Sequence, residues 1–371
     1  MSATRIASIE TFVVNYATHG WFKFFQSPTG GAGDRPSVVI KMTTDTGVIG
    51  WGQSVPAHRW SYETLESVQT TIANYLTPVL IGLDPFDDDA IRAAMKGVVA
   101  NSFSTGQPIC KAGIDLALFD LTGKLLGQTA AQRWQRKGVE SISLSWTLNP
   151  RSLDEIETQI AEATGRGYEH FNLKIAPNIK FDLEACQLIR KLVPKAFLWV
   201  DANGGYDEAA AMQVAPKLAD LGIPVFEQPL PANRLTGYQR LKKQGALPIL
   251  MDEGIVSHVE LEEFIQLGCI DGIAIKVARG GGITEARRQI EIIENAGLIW
   301  LGSGLTDPDI SLAASLLLYG AYGLKTAAAL NGPQYLPNSI LEKPFATSGG
   351  RIAVPTGIGL SVEIDEGKVK V

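Results

Sequence analysis

Three acidic residues stand at the ends of three successive apolar segments of this sequence. Asp201 lies in the run WVDANG, Glu227 in VFEQPLP and Asp252 in ILMDEG. If the segments are neighbouring parallel strands, about 4.8 Å apart, the acids can converge on one ion. Three oxygen ligands with no neighbouring His or Cys favour Mg²⁺, with Mn²⁺ as the alternative, over zinc. Capping of the helices that follow is the other interpretation, and it explains one acid more easily than three in register.

Two lysines occupy equivalent positions in two further segments, Lys174 in FNLKIAP and Lys276 in IAIKVARGGG. In a ring of eight strands they would lie on the second and sixth strands, which face each other, with the acids on the strands between. A carboxylate substrate at the metal would then present one face of its α-carbon to each lysine, which suits proton removal and delivery. The metal would stabilise the enediolate that deprotonation forms. A solvated or ion-paired strand end is the alternative for each lysine.

Such a lysine must act as a free amine, although its unperturbed pKa is about 10.4. Burial and a nearby divalent cation both disfavour the ammonium form. We therefore expect the lysine pKa to be lowered toward about 7–8.

The elements that must position these residues form a repeat. Apolar segments end at residues 146, 174, 201, 227, 252, 276, 302 and 329, so successive ends are 24 to 28 residues apart. That spacing leaves room for one helix after each strand, and stretches such as Leu153–Gly165 carry apolar residues at helical spacing. Eight such units predict an α/β fold, a closed (β/α)₈ barrel of the TIM type. The predicted strands are Ile142–Trp146, Phe171–Ile175, Leu198–Asp201, Val225–Glu227, Ile249–Asp252, Gly272–Lys276, Ile299–Gly302 and Lys325–Ala329.

Residues before the barrel predict a different module. Arg5–Tyr16, Ser37–Thr44 and Gly47–Gly52 alternate like the strands of an antiparallel meander, and three helices follow over Ser61–Leu80, Asp87–Val99 and Cys110–Leu126. We predict an N-terminal α+β capping domain over residues 1–130 and the barrel over 131–335. Residues 336–371 are predicted to return to the capping domain, with short strands near Arg351–Val354 and Leu360–Ile364. The Gly-, Pro- and aromatic-rich loop Thr18–Asp34 is a candidate lid.

Composition excludes several classes of protein. Of the 371 residues, 45% are hydrophobic and 19% charged, which is typical of a packed globular protein. The net charge is −6 and there is no Lys/Arg-rich block, so we expect no nucleic-acid partner. The longest apolar stretch, Ile310–Leu324, is too short to span a bilayer, so no membrane association is expected. Three scattered cysteines and the lack of a secretory leader favour a cytoplasmic location.

These motifs together resemble the enolase superfamily, specifically its muconate lactonizing enzyme subgroup. The resemblance extends over nearly the whole chain and includes Gly50–Trp51–Gly52, the stretch Cys110–Gly127, and the runs DAN, EQP, MDE and KxxRxGG in order. It implies that the three acids are metal ligands, that Lys174 and Lys276 are the acid/base pair, and that loops near 18–34 and 53–60 close over the substrate. We also expect a homo-oligomer.

Three positions differ from the patterns of relatives in this superfamily. The second strand usually carries Lys-x-Lys, whereas here Asn172 replaces the first lysine and could hydrogen-bond a substrate carboxylate. The eighth strand has Ala329-Leu330-Asn331 in place of the Asp-x-Asp of dipeptide epimerases, which argues against a dipeptide substrate. The end of the seventh strand lacks the histidine of mandelate racemase-like enzymes, which argues against their acid-sugar dehydration.

Several polar and aromatic residues near the predicted barrel mouth and lid are candidates for substrate binding. Asp307 and Asp309 could pair with a substrate cation, with helix capping as the alternative for Asp309. Trp60, Trp146 and Tyr335 could add to an aromatic wall. The candidate set is Asn172, Asn203, Trp21, Phe24, His58, Ser303, Asp307, Asp309 and Asn331.

The activity predicted from these features is racemisation or epimerisation of an amino-acid-derived carboxylate, N-substituted or proline-like. A dehydratase or cycloisomerase acting on a small hydroxy or unsaturated acid could use the same lysine pair. A protein that has lost catalysis and serves a binding role is a hypothesis from another class, against which the intact acids and lysines argue. A phosphate-binding barrel is a further alternative, for which Gly302–Gly304 is the only indication.

Overall fold

The computed structural model describes residues 4–25, 33–101 and 105–370. The chain begins with an antiparallel sheet in the order β1 (Ile6–Tyr16), β2 (Arg35–Thr44) and β3 (Ile49–Ser54). The tight turn between β2 and β3 closes with a hydrogen bond from Gly47 N to Thr44 O, as the sequence predicted. The meander therefore has the strand order expected from its alternating pattern.

Helices cover one face of this sheet. The longest, α4 (Pro108–Leu126), lies against β3 because Gly50 and Gly52 lack side chains there. A Cβ at either position would collide with the α4 backbone near Ala117 and Gly113. This close approach explains the Gly-Trp-Gly motif. The helical segments of the module are α1 (Leu65–Thr71), a π-helical turn (Ile72–Leu76), α2 (Thr77–Leu80), α3 (Asp88–Val98), α4 (Pro108–Leu126) and α5 (Ala130–Trp134).

Seven parallel strands then follow one another in sheet order, and an eighth segment closes the ring. Ala328 forms a parallel bridge with Leu144, and Ala329 forms one with Ser303, so the last segment joins the first strand to the seventh. This is a (β/α)₈ barrel of the TIM type with an N-terminal α+β capping domain. The seven strands are β5 (Ser145–Leu148), β6 (His170–Lys174), β7 (Leu198–Asp201), β8 (Phe226–Glu227), β9 (Ile249–Met251), β10 (Gly272–Ile275) and β11 (Ile299–Gly302).

A helix follows each of these strands and packs on the outside of the ring. Apolar side chains between helices and strands form the largest core of the molecule, and the ring itself is filled by Trp199, Val225, Leu250 and Leu301. Among the described residues, none of the helices has both the length and the apolar character to cross a bilayer. The barrel helices are α6 (Asp154–Gly165), α7 (Ile179–Leu192), α8 (Glu208–Asp220), α9 (Leu235–Gln244), α10 (His258–Gln266), α11 (Ile283–Asn295) and α12 (Asp309–Ala321).

The ends of the barrel differ in detail from the predicted strands. The single strand predicted over Ile142–Trp146 is divided: β4 (Ser141–Ser143) pairs with the C-terminal β13 (Arg351–Ala353), and only β5 enters the ring. The eighth strand, predicted over Lys325–Ala329, is reduced to the two bridging alanines. The backbone groups of β4 pair with β13 and are therefore not available to the ring.

The C-terminal segment contacts both parts of the molecule. Its strand β13 pairs with β12 (Thr347–Ser348) and β4, whereas the strand predicted at Leu360–Ile364 is only an isolated bridge to Leu341. Leu360 N donates to Asp120 of α4, and Glu366 pairs with Lys41 of β2 at 2.7 Å. The short helices of this segment are α13 (Gly332–Tyr335) and α14 (Glu366–Val369).

Candidate active site

The three predicted acids meet at the carboxyl ends of β7, β8 and β9. Asp201 lies directly beside Glu227 in the β7–β8 register, and Asp252 follows the last residue of β9. One carboxylate oxygen from each residue lies within 4.8 Å of the other two, and all three side chains are buried. The adjacent strands thus bring the acids together as the spacing predicted.

Mutual repulsion is strong in this cluster. Burial, followed by the neighbouring Asp201 and Asp252 carboxylates, raises the pKa of Glu227 to about 8. Burial acts on the pKa of Asp252 in the same direction, but attraction by Lys276 and Arg279 outweighs it and holds that pKa below its usual value. The cluster is therefore a concentration of buried negative charge that depends on cations for its compensation.

The two lysines supply part of that compensation from opposite sides. Lys174 Nζ lies 2.5 Å from Asp201 Oδ2, and Lys276 Nζ lies 2.5 Å from Asp252 Oδ2. Because Lys174 is on β6 and Lys276 follows β10, the second and sixth strands of the ring, the amines approach the acids from opposed positions. Trp60 of the capping domain covers Lys276, with its ring centroid 4.9 Å from Nζ.

The expected lowering of the lysine pKa is not found for Lys174. Burial lowers its pKa, but attraction by Asp201, Glu227 and Asp252 is larger and the net shift is upward. The sequence argument counted burial and a metal, but not the direct ion pair with a neighbouring acid.

Sequence reasoning assigned no role to three residues that hold the acids in place. Arg279 is fully buried and its Nη1 donates to Asp252, while its Nη2 donates to the Ala274 carbonyl at 3.0 Å. Trp199 Nε1 donates to Glu227 Oε2 at 2.8 Å. Gln228 Oε1 accepts from the backbone N–H of Asp252 at 2.8 Å. Arg279 belongs to the KxxRxGG motif and Gln228 to EQP, so both residues could have been singled out from the sequence. Which acid each one contacts, however, depends on the fold.

A cavity of about 370 Å³ lies between barrel and capping domain, lined by side chains that contact the acids rather than by the acids themselves. Both lysines line it, and Phe22, Phe25 and Trp60 form apolar parts of its wall. Phe22 and Phe25 pack on Tyr335, with ring centroids 5.1 and 5.3 Å away. The described part of the predicted lid, residues 18–25 and 33–34, therefore contributes to this wall, and its residues 26–32 lie outside the described chain.

Six of the nine candidates for substrate binding line this cavity: Asn172, Asn203, Phe24, His58, Ser303 and Asn331. Asn203 also donates to both oxygens of Asp201, from its backbone N–H at 2.8 Å and from Nδ2 at 3.0 Å. Trp21 lies instead on a neighbouring cavity beside Trp146 and is 41% exposed.

Asp307 and Asp309 are buried away from the cavity wall. Asp307 accepts from Leu305 N at 3.1 Å, and Asp309 accepts from Ser339 Oγ and Ile340 N at 2.6 and 2.9 Å. The two carboxylates hold backbone segments, and pairing with a substrate cation has no support from their positions. Asp309 is the first residue of α12, and helix capping was the alternative role considered for it. Its carboxylate does not cap the helix but accepts these hydrogen bonds from the C-terminal segment.

Three neutral side chains form a second polar group on the cavity wall, which we call the amide group: Thr147, Asn172 and Asn331. Thr147 and Asn172 lie side by side in the β5–β6 register. Asn331 Nδ2 donates to Thr147 Oγ1 at 3.3 Å. Within the described residues, three polar atoms have no hydrogen-bond partner: Asn172 Nδ2, Asn172 Oδ1 and Asn331 Oδ1.

Arg35, the first residue of β2, connects two loops at the edge of the cavity. Its guanidinium donates to the Val55 and Pro56 carbonyls in the second capping loop, at 2.8 and 2.5 Å, and to the Leu305 carbonyl in the loop after β11, at 3.0 Å. It is only 4% exposed. Arg35 therefore joins the capping domain to the barrel at the edge of the site.

The acid cluster meets the requirements of a hard divalent cation. Its three donors are oxygens, they converge within 4.8 Å, and the repulsion that raises the pKa of Glu227 is what a cation would relieve. The residues present are therefore able to hold a metal ion at this position.

Comparison with known proteins agrees with this architecture. Residues 8–132 match the model of the mandelate racemase / muconate lactonizing enzyme N-terminal domain, and residues 155–368 match the enolase C-terminal domain-like model. A chloromuconate cycloisomerase of Cupriavidus necator is 31% identical over 342 residues, which is 91% of each chain. An N-succinyl-L-Arg/Lys racemase of Bacillus cereus is 28% identical over 365 residues, covering 98% of this chain and 94% of the racemase.

Among solved structures, a muconate lactonizing enzyme from Pseudomonas fluorescens complexed with muconolactone has a TM-score of 0.89 and 28% identity. The alignment covers 99% of this chain and 98% of that one. Both halves of the chain match in order, and the similarity extends over the whole fold. The chain is an enzyme of the enolase superfamily and belongs to its mandelate racemase/muconate lactonizing enzyme family.

Proposed function

We propose that this enzyme removes and returns the α-proton of a carboxylate substrate in a magnesium-dependent reaction, and that it racemises or epimerises an amino-acid-derived acid. The observation that carries the proposal is the pair of lysines on opposed strands, each 2.5 Å from a different acid of one cluster and both lining one cavity. Inversion at a carbon needs a base on one face and an acid on the other, and this arrangement provides both.

The proposed magnesium ligands are Asp201, Glu227 and Asp252. When bound, magnesium supplies positive charge to the substrate carboxylate and to the charge that develops on it during deprotonation. If magnesium neutralised the acids, their attraction would no longer offset burial, and burial would then lower the pKa of Lys174 and favour the free amine.

The chain's own residues would then perform the proton transfers. One lysine accepts the α-proton and leaves an enediolate, and the opposed ammonium delivers a proton to the other face of the same carbon. For the mirror-image substrate the lysines exchange roles. The apolar wall of Phe22, Phe25 and Trp60 excludes water, which strengthens electrostatic interactions in the site.

Cycloisomerisation is the second candidate, because several relatives, including the 31% identical protein of Cupriavidus necator, are chloromuconate cycloisomerases. A cycloisomerase needs only one lysine as proton donor or acceptor, so the second would not transfer protons. The relative of Bacillus cereus favours racemisation and covers a larger share of this chain.

Solvent exchange tests the proposal. The magnesium-loaded enzyme is incubated in D₂O with a library of N-acyl, proline-like and unsaturated acids, and α-deuterium and optical rotation are followed. A racemase incorporates deuterium into both enantiomers of its substrate, whereas a cycloisomerase or dehydratase changes the carbon skeleton or loses water. Absence of exchange and of any transformation over the whole library would contradict α-proton chemistry.

Lysine variants show which lysine acts on which face of the substrate α-carbon. Lys174→Met and Lys276→Met should each abolish racemisation, and each should retain deuterium exchange with only one enantiomer, the opposite one in the two variants. Full racemase activity in either variant would refute the two-base arrangement. Because methionine preserves much of the side-chain volume, magnesium binding measured by calorimetry serves as the control for an intact site.

Homo-oligomer formation remains part of the proposal. Light scattering on the purified protein would decide it, and a monomer at micromolar concentration would contradict it.

A further inference from the structure

The amide group has unused hydrogen-bonding capacity facing the site. Asn172 is 1% exposed and Asn331 is 7% exposed, and both line the cavity. Among the described residues, Asn172 Nδ2, Asn172 Oδ1 and Asn331 Oδ1 have no partner. Leaving such buried groups unpaired is unfavourable, so a ligand that pairs them gains affinity.

The position of the amide group relative to the acids determines which part of a ligand reaches it. The acids occupy the third, fourth and fifth strands of the ring, whereas Thr147 is on the first strand and Asn331 follows the eighth segment. Asn172 lies two residues before Lys174, so both side chains point to the same side of β6. A substrate whose carboxylate is directed at the acids and whose α-carbon lies between the lysines therefore directs another α-substituent toward the amide group.

The unpaired atoms specify the chemistry of that substituent. Asn172 Oδ1 and Asn331 Oδ1 are acceptors and require a donor, while Asn172 Nδ2 requires an acceptor. An α-amino acid or its N-acyl derivative carries an N–H donor and a carboxylate acceptor on neighbouring atoms. A dicarboxylate offers only acceptors and, with the amides oriented as in this structure, would leave both amide oxygens buried and unpaired.

From this match we infer that the amide group selects substrates with an N–H donor on the α-carbon, and that Asn331 and Asn172 determine this specificity. The inference rests on the proposed function and narrows its substrate to amino acids and their N-acyl derivatives. It places acids without an α-nitrogen, including unsaturated dicarboxylates, outside the preferred substrates.

Two matched ligand pairs test the inference by equilibrium binding to the magnesium-loaded enzyme. N-acetyl-L-alanine is compared with O-acetyl-L-lactate, in which an ester oxygen replaces N–H. L-Proline is compared with tetrahydro-2-furoate, in which a ring oxygen replaces the ammonium group. We expect the donor-bearing member of at least one pair to bind about tenfold more tightly than its oxygen analogue. A preference only in the first pair identifies a neutral amide N–H, and a preference only in the second identifies an ammonium group.

Asn331→Leu is the matched variant, since leucine has a similar size and no acceptor. The preference should fall to about twofold or less in this variant, while the affinity for the oxygen analogue changes little. Equal affinities within both pairs for the wild-type enzyme, an undiminished preference in a folded variant, or no binding of either donor-bearing ligand would each overturn the inference. The wild-type comparison decides the matter even if the variant fails to fold.

The outcome is separable from that of the proposed function. Deuterium exchange into acids that lack α-nitrogen, at rates equal to those of their nitrogen analogues, would refute the donor requirement and leave α-proton chemistry intact. No exchange into any acid would contradict the proposed function itself.

Discussion

Replacing Arg35 by methionine should loosen the junction between capping domain and barrel. The guanidinium makes three hydrogen bonds, to Val55 O, Pro56 O and Leu305 O, and is 4% exposed. Hydrogen bonds from a charged donor contribute about 1.5–3 kcal/mol each. Because the three bonds share one side chain and the loops can relax, we expect a total loss of about 3–5 kcal/mol rather than their sum.

That loss can be converted into a melting temperature. A chain of 371 residues has an unfolding entropy of roughly 0.8 kcal/mol/K, on the basis of the average value per residue. The Arg35→Met variant should therefore melt about 4–6 °C below the wild-type protein in scanning calorimetry. Turnover should also fall, because Arg35 joins two loops that lie at the edge of the cavity.

Arg151→Met is the matched control. Arg151 pairs with Glu155, four residues along the chain, and its side chain is 63% exposed, so its removal should change the melting temperature by less than about 1 °C. Arg35→Lys should recover part of the stability, since an ammonium can reach some of the three carbonyls but lacks the planar fork. If Arg35→Met and Arg151→Met melt within 1 °C of each other, the hydrogen bonds from Arg35 to the two loops do not contribute as described.

Three further predictions concern the metal site, pH and helix capping. Asp252→Asn should weaken magnesium binding in titration calorimetry, and unchanged affinity would remove Asp252 from the proposed ligands. Burial raises the pKa of Asp307 to about 6. The folded state therefore retains a proton that the unfolded chain releases near pH 4. As a result, the free energy of unfolding should fall as pH rises from about 4 to 6. Urea unfolding across that window should show this decline for wild type relative to Asp307→Asn, and parallel curves would contradict it. The Glu63 carboxylate accepts hydrogen bonds from Ile109 N and Cys110 N at the start of α4, at 2.8 and 2.7 Å. The Glu63→Ala variant should therefore lose about 1–2 kcal/mol of unfolding free energy in the same assay. A loss below about 0.3 kcal/mol would argue against this cap.

The lid illustrates where sequence reasoning about the site met its limit. Trp21 and Phe24 were the aromatic candidates, yet Trp21 lies on a neighbouring cavity, and Phe22 and Phe25 join Phe24 on the cavity wall. A loop has no fixed period, so composition alone does not tell which of several adjacent aromatics points inward. Phe22 and Phe25 are oriented toward the cavity by packing on Tyr335, which is more than 300 residues away in the chain.

Asp307 and Asp309 illustrate the same limit for charged residues. Both follow the seventh strand at the mouth of the barrel, where a functional role was reasonable, but their hydrogen bonds go to backbone groups and to the hydroxyls of Ser315 and Ser339. Whether a carboxylate faces a cavity or the interior depends on the direction of its side chain.

The sequence was sufficient to predict the barrel and to predict that the three acids and two lysines lie at one edge of it. Regular strand spacing implies parallel strands, and the carboxyl ends of parallel strands share one edge. Tertiary structure alone decided which charges pair directly, which amides remain unpaired and which lid residues face the cavity. These properties depend on contacts between residues far apart in the chain, such as Asn331 with Thr147 and Arg35 with Leu305. Such contacts exist only once the ring has closed and the capping domain has packed on it.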